Sequence, residues 1–234
     1  IGSIEIKNRL AMSAMDLGFT SDGSVNKRFI DFYVERARGG VGLIVIGGCY
    51  PEMNGKVWKS IIGLDKDEFI PGLKKFADTM HKNDVKVAAQ LLHGGRSASS
   101  FFTKMRPVSA SSLAHVNIKQ APHALTIPEI KRVMQGFVNA TVRLKKAGFD
   151  AVEIHGGMGY LINQFLSRAT NERRDRYGGS LRNRINFARE IVIAIKEKVG
   201  KKFPIIFRLS GEDFVDKGLK IDESIEIAKE LEKA

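Results

Sequence analysis

Residues 150–167 read DAVEIHGGMGYLINQFLS. The apolar run Ala151, Val152 and Ile154 ends at a polar His155 and the pair Gly156-Gly157. A buried parallel strand that delivers side chains to a site at its C-terminal end has this form. His155 and Tyr160 each carry a hydrogen-bond donor, and the glycines between them let the backbone turn sharply enough to bring both to one side. Such a pair suits a site that polarises a carbonyl. A strand-end histidine is also readily satisfied by local partners, and a tyrosine after glycine is readily packed, so the stretch has to be read with its surroundings.

The same strand-then-glycine pattern recurs outward from it. Toward the N-terminus, Asn8–Met15 (NRLAMSAM) reads as a first strand, and Phe29, Phe32, Tyr33 and Ala37 space a helix that Gly39-Gly40 ends. Val41–Ile46 is a second strand that meets Gly47-Gly48, and Ile70, Leu73, Phe76, Ala77 and Met80 mark the next helix. Val85–Leu92 is a third strand running into His93-Gly94-Gly95-Arg96, followed by a long Ser-rich connection over 97–124. A connection of that length inside a compact unit is more often a functional loop or lid than an idle one. Thr126–Glu129 (TIPE) has capping-box spacing and opens a helix over Ile130, Val133, Met134, Phe137 and Leu144. Beyond the central strand, Ser180 is placed to cap a helix carrying Phe187, Ile191, Ile195 and Val199. Pro204–Leu209 is the fifth strand, and a helix starts at Asp222.

Apolar strands alternating with amphipathic helices predict an α/β fold with a parallel sheet, either a (β/α)₈ barrel or a doubly wound sheet. No strand opens into a G-x-G-x-x-G turn, and polar residues or glycines stand at the C-terminal end of every strand, which selects the (β/α)₈ TIM barrel. Five strand-helix units do not close eight. The expectation is therefore one domain over residues 1–234, incomplete at its C-terminal side and drawn from a longer protein.

At 234 residues and 43% hydrophobic content the chain can bury one sizeable core. The single cysteine, Cys49, excludes an intrachain disulfide framework, points to a reducing, cytoplasmic setting, and leaves no basis for a metal cluster. No apolar run reaches the roughly 20 residues of a membrane span. The net charge of +12 arises from lysines scattered over several helices, with no nucleic-acid module among them, so solvated helix faces account for it. A small molecule is the expected partner, with a homo-oligomer left open.

Three blocks, EIHGGMGYLINQFLS, its continuation over 163–184 (NQFLSRATNERRDRYGGSLRNR) and QLLHGGR over 90–96, resemble the old yellow enzyme family of NADH:flavin oxidoreductases. The family includes 2,4-dienoyl-CoA and 2-enoate reductases. The resemblance implies an FMN-binding TIM barrel with NADH or NADPH as electron donor. An iron-sulfur cluster and FAD would enter only with a longer parent chain. By position in the family pattern, Met15 and Asp16 at the first strand end, Gly48 at the second, Gln90 on the third and Arg208 at the fifth contact the flavin. Gln90 would meet the donor and acceptor of the pyrimidine ring edge. Arg208 would stabilise negative charge on reduction, unless it is spent on an ion pair with Glu153 or another barrel carboxylate. Two positions depart from the pattern: Ala14 stands where proline is common, and Asp16 where a small polar residue is usual.

At the fourth strand end the family places a carbonyl-binding pair and a proton-donating tyrosine. His155 and Tyr160 match these, while Met158 occupies the second carbonyl-binding position and offers no donor. His93 and Arg96 read as loop residues. Asn163, Gln164, Arg173, Asp175, Tyr177 and Arg184 read as structural. The resemblance implies reduction of an activated alkene (enoate, enone or enoyl thioester), with Tyr160 as proton donor and His155 polarising the carbonyl. Met158 leaves room for a flavin-dependent amine dehydrogenase or oxidase on the same barrel, and for a non-catalytic barrel fragment.

Overall fold

A computed structural model describes residues 1–115, 118 and 120–234. The predicted connection over 97–124 therefore includes three residues outside the described ones. In chain order the elements are β1 (Ala11–Met12), α1 (Lys27–Arg38), β2 (Leu43–Tyr50), β3 (Ile62–Gly63), α2 (Ile70–His81), β4 (Lys86–Leu91), α3 (Ser100–Thr103), β5 (Val108–Ser109) and β6 (His123–Ala124). They continue with α4 (Ile127–Lys146), β7 (Ala151–Gly156), α5 (Leu161–Leu166), α6 (Leu181–Val199), β8 (Ile205–Leu209) and α7 (Ile221–Lys233).

Three of the helices start where a side chain replaces missing backbone partners. Asn26 accepts from the Phe29 N–H to start α1, and Ser180 accepts from the Asn183 N–H to start α6. Thr126 and Glu129 form a full capping box on α4. Their apolar faces, such as Phe29, Tyr33 and Ala37 on α1 and Ile130, Val133, Phe137 and Leu144 on α4, pack with Ile44, Ile46, Val87, Ala89, Leu91, Val152 and Ile154 of the strands into one core.

All strand pairs are parallel, and the main sheet runs β1-β2-β4-β7-β8, with β3 added beside β2. This order follows the chain without reversal, whereas a doubly wound sheet reverses at its switch point. The second face carries no helix among the described residues. It holds a small cluster of Leu43, Val45, Ala88 and Ala151, floored by Ile4, Ile6, Ala14 and Ile206. Helices on one face and a side-chain-filled opposite face are the arrangement of a barrel wall.

Several boundaries differ from the sequence reading. The first strand shrinks to Ala11–Met12, and the second runs on through its glycines to Tyr50. There the ladder to β4 shifts register between Ile46 and Cys49. A Cβ on Gly47 would lie 2.8 Å from that of Gln90, so only glycine admits this bulge. The long connection is not featureless, because it contains α3 and the β5-β6 pair.

Candidate active site

Because side chains alternate along a strand, register decides which residues share the inner face. Gln90 is paired with Glu153 and Glu153 with Ile206, forming one row across β4, β7 and β8. His155 is paired with Arg208 in the next polar row, nearer the strand ends. Four polar side chains thus stand on the face opposite the helices, above the apolar floor. The sequence pointed to three of them; Glu153 entered only as a partner for Arg208.

Gln90 is 4% exposed and its Nε2 donates to Glu153 Oε1 at 2.6 Å. Its carbonyl oxygen has no partner among the described residues. No ion pair joins Glu153 to Arg208, which is exposed on β8. Burial raises the Glu153 pKa, with the Gln90 hydrogen bond and the Arg208 charge opposing. Burial, then the Arg208 charge, pushes the His155 imidazole down to about 4, so it is neutral at pH 7. Its Nδ1 accepts from the Gly157 N–H at 3.4 Å, which leaves the proton on Nε2 as a donor.

Tyr160 follows the turn after β7, and its ring meets that of His155 edge-on with centroids 5.1 Å apart. Burial, then the Asp16 carboxylate, raises the phenol pKa, keeping it protonated. The turn is held from several sides. Gln164 Nε2 donates to the Gly159 and Gly94 carbonyls at 2.6 and 3.2 Å, while its oxygen accepts from the Arg96 N–H and Ser109 Oγ–H. Asn163 accepts from the Gly159 N–H at 2.8 Å and donates to Asp213, and the Leu161 N–H donates to the His93 carbonyl. Within the turn Met158 adopts φ +57° and is 69% exposed, with its N–H donating to Ser210 Oγ.

Met15, Asp16 and Gly48 line one tight crevice, too narrow to hold a water, together with Leu17, Gly47 and Ser60. Burial of the Asp16 carboxyl against this cleft raises its pKa, opposed by the Gly18 N–H. Gly48 has a packing reason for being glycine: a Cβ there would meet Leu92 Cδ1 at 2.8 Å. That direction holds no open space, so packing against Leu92 by itself accounts for the glycine.

The remaining family-pattern residues support this end of the sheet. Buried His93 bridges Glu52 and Asn54 at 3.2 and 3.1 Å. Arg173 clamps Asp175 and the Ala110 and Leu125 carbonyls. Buried Arg184 ties the Leu166 carbonyl to Glu223, and Tyr177 donates to Glu190. Three larger surface grooves lie on the outer helices, outside β8 and at the N-terminal end of the barrel wall, away from these side chains.

Residues 1–234 match the NADH:flavin oxidoreductase / NADH oxidase family throughout. The chain belongs to that family. It is 44% identical over 215 residues to a metal reductase of Desulforamulus reducens, covering 92% of this chain and 32% of that protein. It is 43% identical over 239 residues to an NADH oxidase of Thermoanaerobacter brockii, covering 100% of this chain and 36% of the relative. The chain thus spans about a third of the length of these relatives. Among solved structures, a 2-naphthoyl-CoA reductase in complex with 2-naphthoyl-CoA superposes with a TM-score of 0.95 at 34% identity, over 100% of this chain and 38% of that one. An old yellow enzyme homologue from Zymomonas mobilis gives 0.89 at 28% identity, over 99% and 68%. Histamine dehydrogenase from Rhizobium sp. 4-9 gives 0.88 at 33%, over 98% and 34%. The sheet is therefore part of a TIM barrel of old yellow enzyme type, and the family is one of flavin-dependent oxidoreductases using FMN with NADH or NADPH.

The side chains of this chain fit such a cofactor. The Gln90 carbonyl, without a partner among the described residues, is an acceptor for a ring N–H, and Arg208 stands on the same face one row above with no described carboxylate in ion-pair contact.

Proposed function

We propose that residues 1–234 form the flavin-ring side of an oxidoreductase acting on an activated alkene conjugated to a carbonyl, as an enoate, enone or enoyl thioester. The observation that carries this reading is the pair of neutral donors, His155 Nε2–H and the Tyr160 hydroxyl, in edge contact at the end of β7. FMN, when bound, supplies the hydride for the β-carbon. Gln90 holds the neutral edge of the ring, and Arg208 opposes the negative charge that develops there on reduction. Gly48 and the Met15-Asp16 segment that follows β1 border the ring.

His155 binds the substrate carbonyl as a neutral donor, which favours electron withdrawal from the alkene without giving up a proton. Tyr160 transfers its phenolic proton to the α-carbon, and its raised pKa means that it enters each cycle protonated. The cationic face of Arg208 and the low imidazole pKa work together, since a protonated His155 beside that charge is disfavoured. A homo-oligomer and a cytoplasmic setting accord with this reading, and no described helix is long and apolar enough to cross a membrane.

A second reading, amine oxidation, is favoured by one feature. Met158 places an exposed thioether where a second carbonyl donor would stand, and the histamine dehydrogenase likeness accords with it. Turnover of the intact flavoprotein on an enoate or enoyl thioester, compared with an amine, separates the two. The saturated product at catalytic rates is expected, and an aldehyde product from the amine without alkene reduction would overturn the proposal.

A further inference from the structure

Glu153 is a carboxylate 8% exposed on the inner face of the sheet, in the row between Gln90 and Ile206, with no cation within ion-pair distance among the described residues. A buried carboxylate costs free energy unless its hydrogen bonds repay it. The hydrogen bond it has is to the Gln90 amide, at 2.6 Å. The two ends of a glutamine amide are nearly isosteric but opposite in hydrogen-bonding sense. A carboxylate accepts only, so it draws the NH₂ end of Gln90 toward β7 and leaves the carbonyl end free. Cross-strand register fixes the pair, because Gln90 and Glu153 are direct neighbours in adjacent parallel strands.

We propose that Glu153 is a positioning residue that sets which end of the Gln90 amide faces the flavin ring. The inference rests on the reading of Gln90 as a ring contact. Glu153 does not touch the cofactor; it acts through Gln90 by holding the acceptor outward. Removing the carboxylate lets the amide rotate, so that an N–H faces a ring N–H in part of the population. The Arg208 charge is the other long-range influence on Glu153, and it lies beyond ion-pair contact.

A double-mutant cycle on the intact flavoprotein tests this, read by FMN dissociation and by the visible absorption band of the bound flavin. Gln90→Ala is expected to weaken FMN binding about tenfold. Glu153→Met should approach the same loss and shift the absorption band. The double variant should be no weaker than Gln90→Ala alone, because the second change has nothing left to act through. Glu153→Gln should bind FMN within about threefold of wild type, since its amide oxygen still accepts from Gln90. Additive losses in the double variant, or equal losses for Glu153→Gln and Glu153→Met, would overturn the positioning role. Weakened binding in Gln90→Ala with undiminished binding in Glu153→Met would do the same while sparing the ring contact. FMN affinity unchanged by Gln90→Ala would remove the ring contact itself.

Discussion

At the level of single residues, His155 shows how far chemistry can be read from position alone. A polar side chain closing an apolar strand was visible in the sequence, but its protonation state was not, because that depends on burial and on Arg208 across the sheet. A folded-state pKa of about 4, below the free value of 6.5, means that the unfolded chain binds the proton first. Stability is then fully present above pH 6.5 and is lost as pH falls toward 4, by up to about 3 kcal/mol. Urea unfolding of His155→Gln should show a flatter slope than wild type over this window; identical slopes would contradict the buried neutral imidazole. Met158 makes the converse point. Its identity was legible as a missing donor, but its left-handed backbone was not. Asparagine tolerates that conformation better than methionine. Met158→Asn is therefore expected to fold at least as stably and to bind a phenolic or enone ligand about 1 kcal/mol more tightly. A ligand titration yielding no gain would show that this position does not face the substrate.

The secondary-structure elements were legible where periodicity and caps agree. Thr126, Glu129 and Ser180 occupy the capping positions that their sequence context implied, and the helices between them follow the apolar spacing. Short elements escaped detection for physical reasons. Every residue of α5 is buried, so it presents no amphipathic stripe, and β5 and β6 contribute two residues each to a pairing set by tertiary contact. The glycines at the end of β2 signalled a turn, whereas they allow a bulge against Gln90. Gln164 on α5 connects the β4 loop, β5 and the turn carrying Tyr160. Gln164→Ala leaves several buried groups unpaired and is expected to cost about 3 kcal/mol, measurable as a lower urea midpoint. Alkene turnover should fall more than FMN affinity, because the displaced element carries Tyr160 and not Gln90.

Across the whole molecule, the order β1-β2-β4-β7-β8 with helices on one side was anticipated from the strand-end residues, while the inner-face rows required register that no local pattern encodes. The pairing of Gln90 with Glu153 spans residues far apart in sequence, so the chain alone suggested only an ion pair for Glu153 that does not form. Among the described residues β8 pairs only with β7, and Ile205, Phe207 and Leu209 line a groove beside it. The 234-residue polypeptide on its own is therefore expected to self-associate through that edge, as sedimentation across a concentration series would show. A monomer throughout would mean that the edge is protected. In the proposed reaction Tyr160, in edge contact with His155, gives the proton that completes alkene reduction. Rapid-mixing kinetics on Tyr160→Phe of the intact flavoprotein, with flavin reduction by NAD(P)H and reoxidation by the alkene followed separately, tests it most directly. Reoxidation should slow by about 10²-fold or more with reduction nearly unchanged, and equal rates in wild type and variant, or equal slowing of both half-reactions, would contradict the assignment.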